Sequence, residues 1–251
     1  MKTIRLCTGI TPNYLPKARP YLDSMRRHAW ECNPTVFCVD FETPHAPELA
    51  SLNTVHLRYA NLACQVPKFM LQHGAFIEAA PMNWKGTDTI IFTDADAYLQ
   101  RPFSFTEENL VLELGEVGIG FNKVAHTQTL ADEANCLAPQ VPPARIEQCF
   151  PGYRSLLCRN TGFVVASFLT WQALYVIFKE FAARGRECFG IYAWVQWVLC
   201  YIVQRPASGF KLIDVPLSMH AHGHVGLHEG VHKDGDLWKH NEQVIAFAHV
   251  L

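Results

Sequence analysis

The stretch TIIFTDADAYLQRP, Thr89–Pro102, decides how this chain reads. Its first five residues, Thr89-Ile90-Ile91-Phe92-Thr93, are apolar and β-branched or aromatic, the composition of a buried strand. The run stops at two carboxylates one residue apart, Asp94 and Asp96. An isolated carboxylate in a dry core is too costly to keep, so these two belong where ions or solvent reach them. The carboxyl end of a parallel strand is such a place, because open α/β sheets bind ligands in the crevice there. On an extended backbone Asp94 and Asp96 share one face. Two hard oxygen donors so placed suit Mg²⁺ or Mn²⁺, ions that also grip phosphates. A strand running into an Asp-rich turn is the plainer alternative.

The chain has 251 residues, 49% of them apolar, enough for one sizeable core. With 21 basic and 23 acidic residues its formal charge is −2. That balance gives no strong signal for nucleic acid or an anionic membrane. The cysteines, Cys7, Cys32, Cys38, Cys64, Cys136, Cys149, Cys158, Cys188 and Cys200, are odd in number and form no CxxC pair. Several lie in apolar runs and read as reduced core thiols, which predicts a cytoplasmic protein. The opening MKTIRLCTGITPNY lacks the apolar centre of a signal peptide. Phe189–Val203, the longest apolar run, is broken by Gln196 and reads as a buried helix.

Taken in order, Thr3–Thr8 predicts a first strand and Gly9, Pro12 and Asn13 a turn. Leu15–His28 has apolar Leu15, Ala18, Leu22 and Met25 at helical spacing. Thr35–Val39 and Asn53–Leu57 predict strands, and Val66–Ala80, with Pro67 near its start and Pro81 after its end, a helix. Strands alternating with helices argue for a parallel, doubly wound sheet in this half. Beyond it, Gly118–Phe121, Gly162–Ala166, Lys211–Val215 and Gln243–His249 read as strands. Thr170–Ala183 and Ile191–Val203 read as helices, Leu137–Arg145 as a long loop, and His220–His240 as a His-rich loop.

Four features, spread over most of the chain, resemble a metal-dependent glycosyltransferase of the GT-A type, nearest to the family 8-like group. One is the early CTGITPNYL, similar to the opening strand and the loop that cups the nucleotide. A second is Lys68-Phe69 in the helix before the central strand. The third is Asp94-Ala95-Asp96 followed by Arg101-Pro102, which looks like the DxD motif that binds metal and donor diphosphate. Asn160-Thr161-Gly162 opens the fourth, continued by a helix, a Gln-bearing helix and a terminal strand with His249. Two departures stand out. The usual Asp-Gln pair is Val195-Gln196, and the usual Lys-Pro-Trp near the end is only Leu237-Trp238-Lys239.

The resemblance implies an α/β fold with a Rossmann-like, mostly parallel sheet flanked by helices and a mixed C-terminal half. It implies one catalytic domain over 1–251, with nucleotide-sugar binding in about 1–102 and acceptor binding in about 103–251. The donor would be a nucleotide sugar, first of all a UDP-sugar. The acceptor and the oligomeric state are open. Mn²⁺ or Mg²⁺ held by Asp94, Asp96 and a C-terminal His would neutralise the diphosphate as it leaves. His249 is the first choice because it follows an apolar strand, and His222 in MHAHGHVGLHEGVH is the alternate. Lys68 would touch the phosphates; a solvated helix lysine is its plain alternative. Thr8, Gly9 and Thr11 would let backbone approach the ligand, and Tyr14 would stack on the base or pack in the core. Asp40 would accept from base or ribose, or cap a turn. Asn160 would sit at the donor. Gln196 would border the reacting sugar in a retaining reaction, or be a buried amide satisfied by backbone. An inverting reaction would need a carboxylate base; Glu187 and Asp214 qualify by position only.

Other classes stay open. A haloacid dehalogenase-type phosphatase also carries a DxD after an apolar strand, but with a Thr where this chain has Tyr98 and near the N-terminus. A non-catalytic metal or sugar-nucleotide binding protein would keep the fold without turnover. An amidohydrolase using His220 and His222 is the third.

Overall fold

The computed structural model describes residues 3–32, 34–41, 46–61, 75–102, 112–121, 128–189, 194–222 and 229–249. Strand β1 (Ile4–Ile10) leads through a short Pro12–Tyr14 turn of 3₁₀ helix into α1 (Leu15–His28). Then come β2 (Thr35–Val39), β3 (Asn53–Leu57), β4 (Thr89–Thr93), β5 (Ala97–Leu99) and β6 (Glu116–Phe121). Helices α2 (Leu130–Leu137) and α3 (Pro143–Cys149) precede β7 (Arg159–Ser167), α4 (Phe168–Phe189) and α5 (Trp194–Gln204). The chain closes with β8 (Lys211–Asp214), β9 (His220–His222), β10 (Val231–Asp234), β11 (Leu237–His240), β12 (Gln243–Val244) and β13 (Phe247–His249).

One seven-stranded sheet, in the order β3-β2-β1-β4-β7-β6-β8, takes strands from both halves of the chain. It is parallel from β3 to β4 and again between β6 and β8; only β7 runs against its neighbours. β2 is buried at every residue, as a strand covered on both faces must be. α1 buries Ala18, Tyr21, Leu22 and Met25 on one side of the sheet. On the other side Trp171 of α4 donates its indole N–H to Ile90 O, and Trp197 of α5 donates to Leu130 O. Each large ring thereby buries its apolar body and satisfies its single donor. Among the described residues no helix is long and apolar enough to cross a membrane.

Four sequence expectations need revision. Leu137–Arg145 is no long loop: α2 ends in it, and Pro143 opens α3, where the missing N–H of proline costs nothing. The span His220–His240 is not one loop but holds β9, β10 and β11. Its polar, His-rich residues hide short strands whose apolar alternation is too weak to read. Gln243–His249 is not one strand, because β12 pairs with β11 whereas β13 pairs with β5 and β9. Of the helix expected over Val66–Ala80, the part up to residue 74 lies outside the described residues, and Ala75–Ala79 forms a 3₁₀ helix.

The eight described cysteines are free, with Cys136 exposed, Cys149 half-buried and the others buried. Cys64 lies outside the described residues. Burial pushes the Cys32 thiol up to about 11 and the Cys38 thiol to about 12, so both stay protonated and unreactive at neutral pH. Thiol titration of the native protein should therefore find Cys136 fast and the buried six silent. In denaturant without reductant all described thiols should react, and a shortfall of two would reveal a disulfide.

Candidate active site

β4 ends at Thr93, and after Asp94 the chain turns at once instead of running on extended, with Ala97 N–H donating back to Asp94 O at 3.3 Å. Asp94 N–H in turn donates to Gly162 O at 2.9 Å, tying the end of β4 to β7. β7 is irregular here: its register against β6 shifts between Ile119 and Gly120, next to Asn160-Thr161-Gly162. Such bulges re-aim strands beside functional sites.

The third group arrives from the far end of the chain. β13 lies antiparallel to β5, and this register sets His249 opposite Ala97, the residue after Asp96. His249 is buried, and its Nε2 lies 2.9 Å from Asp96 Oδ1. One ligand atom from each of Asp94, Asp96 and His249 falls within 4.8 Å of the others. Two carboxylates and an imidazole form a donor set for a divalent ion, with oxygen favouring Mg²⁺ or Mn²⁺ and nitrogen the softer metals.

The space between these groups is kept by Gly162. A Cβ there would lie 2.8 Å from Asp94 Oδ2, 2.8 Å from His249 Nδ1 and 2.7 Å from Asn160 Oδ1. A side chain there would force these three groups to shift, so the glycine keeps open a cradle beneath Asp94 and His249. Asn160 completes the floor by accepting from Gly162 N–H at 2.8 Å.

Electrostatics push the two carboxylates apart. Burial raises Asp94 to about 6, with the charge of Asp96 adding to it and His249 opposing. Asp96 is also raised by burial, but the hydrogen bond and charge of His249 and the Tyr14 hydroxyl outweigh it and hold the group below its ordinary value. Two nearby carboxyls with opposed shifts mark a site built for charge and not for packing.

The other expected residues fall as follows. Tyr14 O–H donates to Asp96 Oδ2 at 2.7 Å, and its ring lies under the Lys17 ammonium. Burial and the Asp96 carboxylate push its hydroxyl upward, so it remains a donor. Thr8 is fully buried and donates to Thr93 O at 2.9 Å, joining β1 to β4. Gly9 lies in β1, while Thr11 O accepts from Tyr14 N and Leu15 N. Asp40 sits at φ 53, and its carboxylate accepts from Tyr59 N–H at 2.9 Å. Ala95 is buried in the turn. Gln196 accepts from Thr161 N–H at 3.5 Å and donates to Cys158 Sγ at 3.9 Å, one strand residue from the cradle. Asp214 is paired with buried Arg159 at 3.0 Å, and Glu187 lies exposed near Arg145. Lys68 and the side chain of His222 lie outside the described residues; the backbone of His222 pairs with His249.

Several solved glycosyltransferases share this architecture. A galactosyltransferase, LgtC, solved with donor and acceptor sugar analogues, is 10% identical over 98% of this chain and 87% of its own, with a TM-score of 0.57. The fold is that of the GT-A glycosyltransferases. Mouse xyloside xylosyltransferase 1 in its apo form is 12% identical over 99% of this chain and 98% of its own, with a TM-score of 0.55. The glycosyltransferase GlyE of Streptococcus pneumoniae is 11% identical over 85% of this chain and 45% of its own, with a TM-score of 0.51. No family model and no curated protein matches the sequence.

Gly162, the Tyr14 contact and the β7 irregularity were not assigned from sequence. Gly162 carries a signal only in its place beside Asn160, since the reason for a glycine lies on other strands.

Two outcomes are expected. An Asp whose folded pKa is raised is destabilised as pH climbs from its unfolded value of about 3.9 through its folded value. The charge on Asp94 therefore weakens the metal-free protein above about pH 6. Asp94→Asn should raise metal-free stability at pH 7.5 by on the order of 1–3 kcal/mol, and the gain should vanish near pH 4 in urea titrations. Gly162→Ala should leave the far-ultraviolet circular dichroism unchanged yet weaken Mn²⁺ binding at least about tenfold by calorimetry.

Proposed function

We propose that the protein is a divalent-metal-dependent glycosyltransferase that moves a sugar from a nucleotide sugar, first of all a UDP-sugar, to an acceptor, with retention at the anomeric carbon. The observation that carries this reading is the Asp94-Asp96-His249 cluster over the Gly162 cradle, at the carboxyl end of the central strand of a GT-A fold. The relatives in fold support sugar transfer, and LgtC was solved with donor and acceptor sugar analogues.

In this reading Asp94, Asp96 and His249 hold Mn²⁺ or Mg²⁺. When bound, the ion offsets the negative charge that develops on the departing nucleoside diphosphate. The chain's own residues do the rest. Asp96 is held ionised by His249 and the Tyr14 hydroxyl. Asp94, raised by burial to about 6, is the carboxylate whose unfavourable charge the ion would offset. The Gly9–Tyr14 turn and Asp40, at the ends of β1 and β2, face the nucleoside. Gln196 borders the sugar and orients it through an amide anchored on Thr161. The acceptor enters from the second half of the chain. Free buried thiols suit a cytoplasmic enzyme.

A haloacid dehalogenase-type phosphatase fits less well. The position where that chemistry needs a Thr is Tyr98, whose residue lies on β5 paired to Ala248.

The test is release of UDP from a panel of UDP-sugars with Mn²⁺ or with EDTA, preceded by a thermal-shift screen of nucleoside diphosphates. Metal-dependent release is expected, lost in Asp94→Asn and Asp96→Asn and reduced at least about a hundredfold in His249→Ala. His222→Ala should have the smaller effect. Nucleotide and Mn²⁺ binding without turnover on any donor would favour a non-catalytic binding protein. Binding unaffected by either Asp change would remove the assignment.

A further inference from the structure

Resting on the reading of Asp94, Asp96 and His249 as a metal site, we propose that Gln100 is a positioning residue that sets the register of the last strand and so places His249 on the two aspartates. β13 has three residues, and apolar packing sets its register only through its one large side chain, Phe247 against Phe163. Ile245, Ala246, Phe247 and Ala248 are all apolar and all buried, so a slip by one residue exchanges one buried apolar side chain for another. Side chains in a strand alternate between faces, so the same slip turns the imidazole of His249 away from the carboxylates.

Polar contacts fix the register: the N–H groups of Ile245, Ala246 and Phe247 donate to Trp238 O, Ser218 O and Met219 O, and on the carbonyl side the bonds converge on two residues. Three successive carbonyls of the segment entering β13 are claimed by Gln100 and Arg101. Arg101 Nε donates to Val244 O at 2.7 Å, Gln100 Nε2 to Ile245 O at 2.9 Å, and Gln100 N to Ala246 O at 2.8 Å. The Gln100 amide also acts as a substitute peptide against β11. Its Oε1 accepts from Trp238 N–H at 2.8 Å, and its Nε2 donates to Trp238 O at 3.2 Å. The amide thus sits in the fork where the chain leaves the β10-β11-β12 sheet for β13. Only a primary amide on a side chain of this length offers two donors and an acceptor there. Gln100 lies four residues after Asp96 on the same short segment. One rigid stretch therefore carries a carboxylate ligand at one end and the clamp for the imidazole at the other.

Gln100→Glu keeps the shape and the bond from Trp238 N–H but turns both donations into clashes of acceptors. The measurement is the Mn²⁺ dissociation constant of the full chain, from the paramagnetic resonance signal of free Mn²⁺, in a cycle with His249→Ala. Gln100→Glu should weaken binding by about tenfold or more, as outer-shell changes at metal sites do. In the His249→Ala background the same change should add less than about twofold, because its effect runs through His249. Arg101→Met, which removes the donations to Val244 O and Ser218 O along with the local one to Pro102 O, gives a smaller loss with the same dependence on His249 and serves if Gln100→Glu fails to fold. Mn²⁺ affinity within about twofold of the parent, or losses that simply add to that of His249→Ala, overturn the proposal. A parent that binds no Mn²⁺ in an Asp94-dependent way removes the metal reading itself and this inference with it. Parent binding with unaffected Gln100 and Arg101 variants removes the inference alone.

Discussion

Two carboxylates and an imidazole held within 4.8 Å of one another are the constraint around which the rest of the molecule is arranged. Like charges at that range in a poorly solvated place repel by several kcal/mol unless something offsets them. The structure offsets one of them. Asp96 receives the Tyr14 hydroxyl and the His249 ring, and its acidity rises. Asp94 has burial against it and becomes a weak acid near neutrality. A group in that condition is a poor structural element and a good cation ligand. The glycine beneath it, the irregular start of β7 and the docking of the chain's end all follow from keeping this cluster open and assembled.

Much of the sheet was legible in local pattern. The segments Leu15–His28, Thr35–Val39, Asn53–Leu57 and Thr89–Thr93 form the helix and strands that their spacing predicts, with the same bounds. Each is strongly periodic or wholly apolar and is bounded by turn residues. The direction of β7 was not legible. A strand pattern states which faces are buried but not which way the chain runs, and the antiparallel insertion of β7 depends on where the α2–α3 region lets the chain re-enter the sheet. The C-terminal hairpins were missed for another reason. Their strands are two to four residues long and rich in His, Lys and Asp, so no alternation has room to show.

At the site, legibility followed chain position. Asp94 and Asp96 stand out because carboxylates after a buried strand demand a reason. His249 stands out because an apolar run at a terminus must be tied down. Gly162 and Gln100 do not stand out, since their reasons are three-dimensional. A glycine at the start of a strand and a glutamine after a short one are ordinary until the side chains from other elements are seen against them. Tyr14 is intermediate: its aromatic ring suggested stacking, whereas its hydroxyl is what touches Asp96.

The division of the ligands between two parts of the fold has an energetic consequence. Asp94 and Asp96 lie in the turn that joins β4 of the large sheet to β5 of the small one, and His249 reaches them through the small β5-β13-β9 sheet, with Ala248 in a separate apolar cluster of Ala221, Val231, Trp238 and Ile245. That cluster is small, and Ala246 and Phe247 anchor the same segment in the larger core, so apolar burial on both sides opposes the entropy of ordering it. An ion bridging the three ligands would bind only the docked arrangement and would stabilise it by mass action. Docking of the tail and loading of the site would then be linked, and each would favour the other to the same degree. A ligand placed near the end of the chain is therefore more than a convenient third donor. If the site takes an ion, His249 links its occupancy to the docking of the last strand.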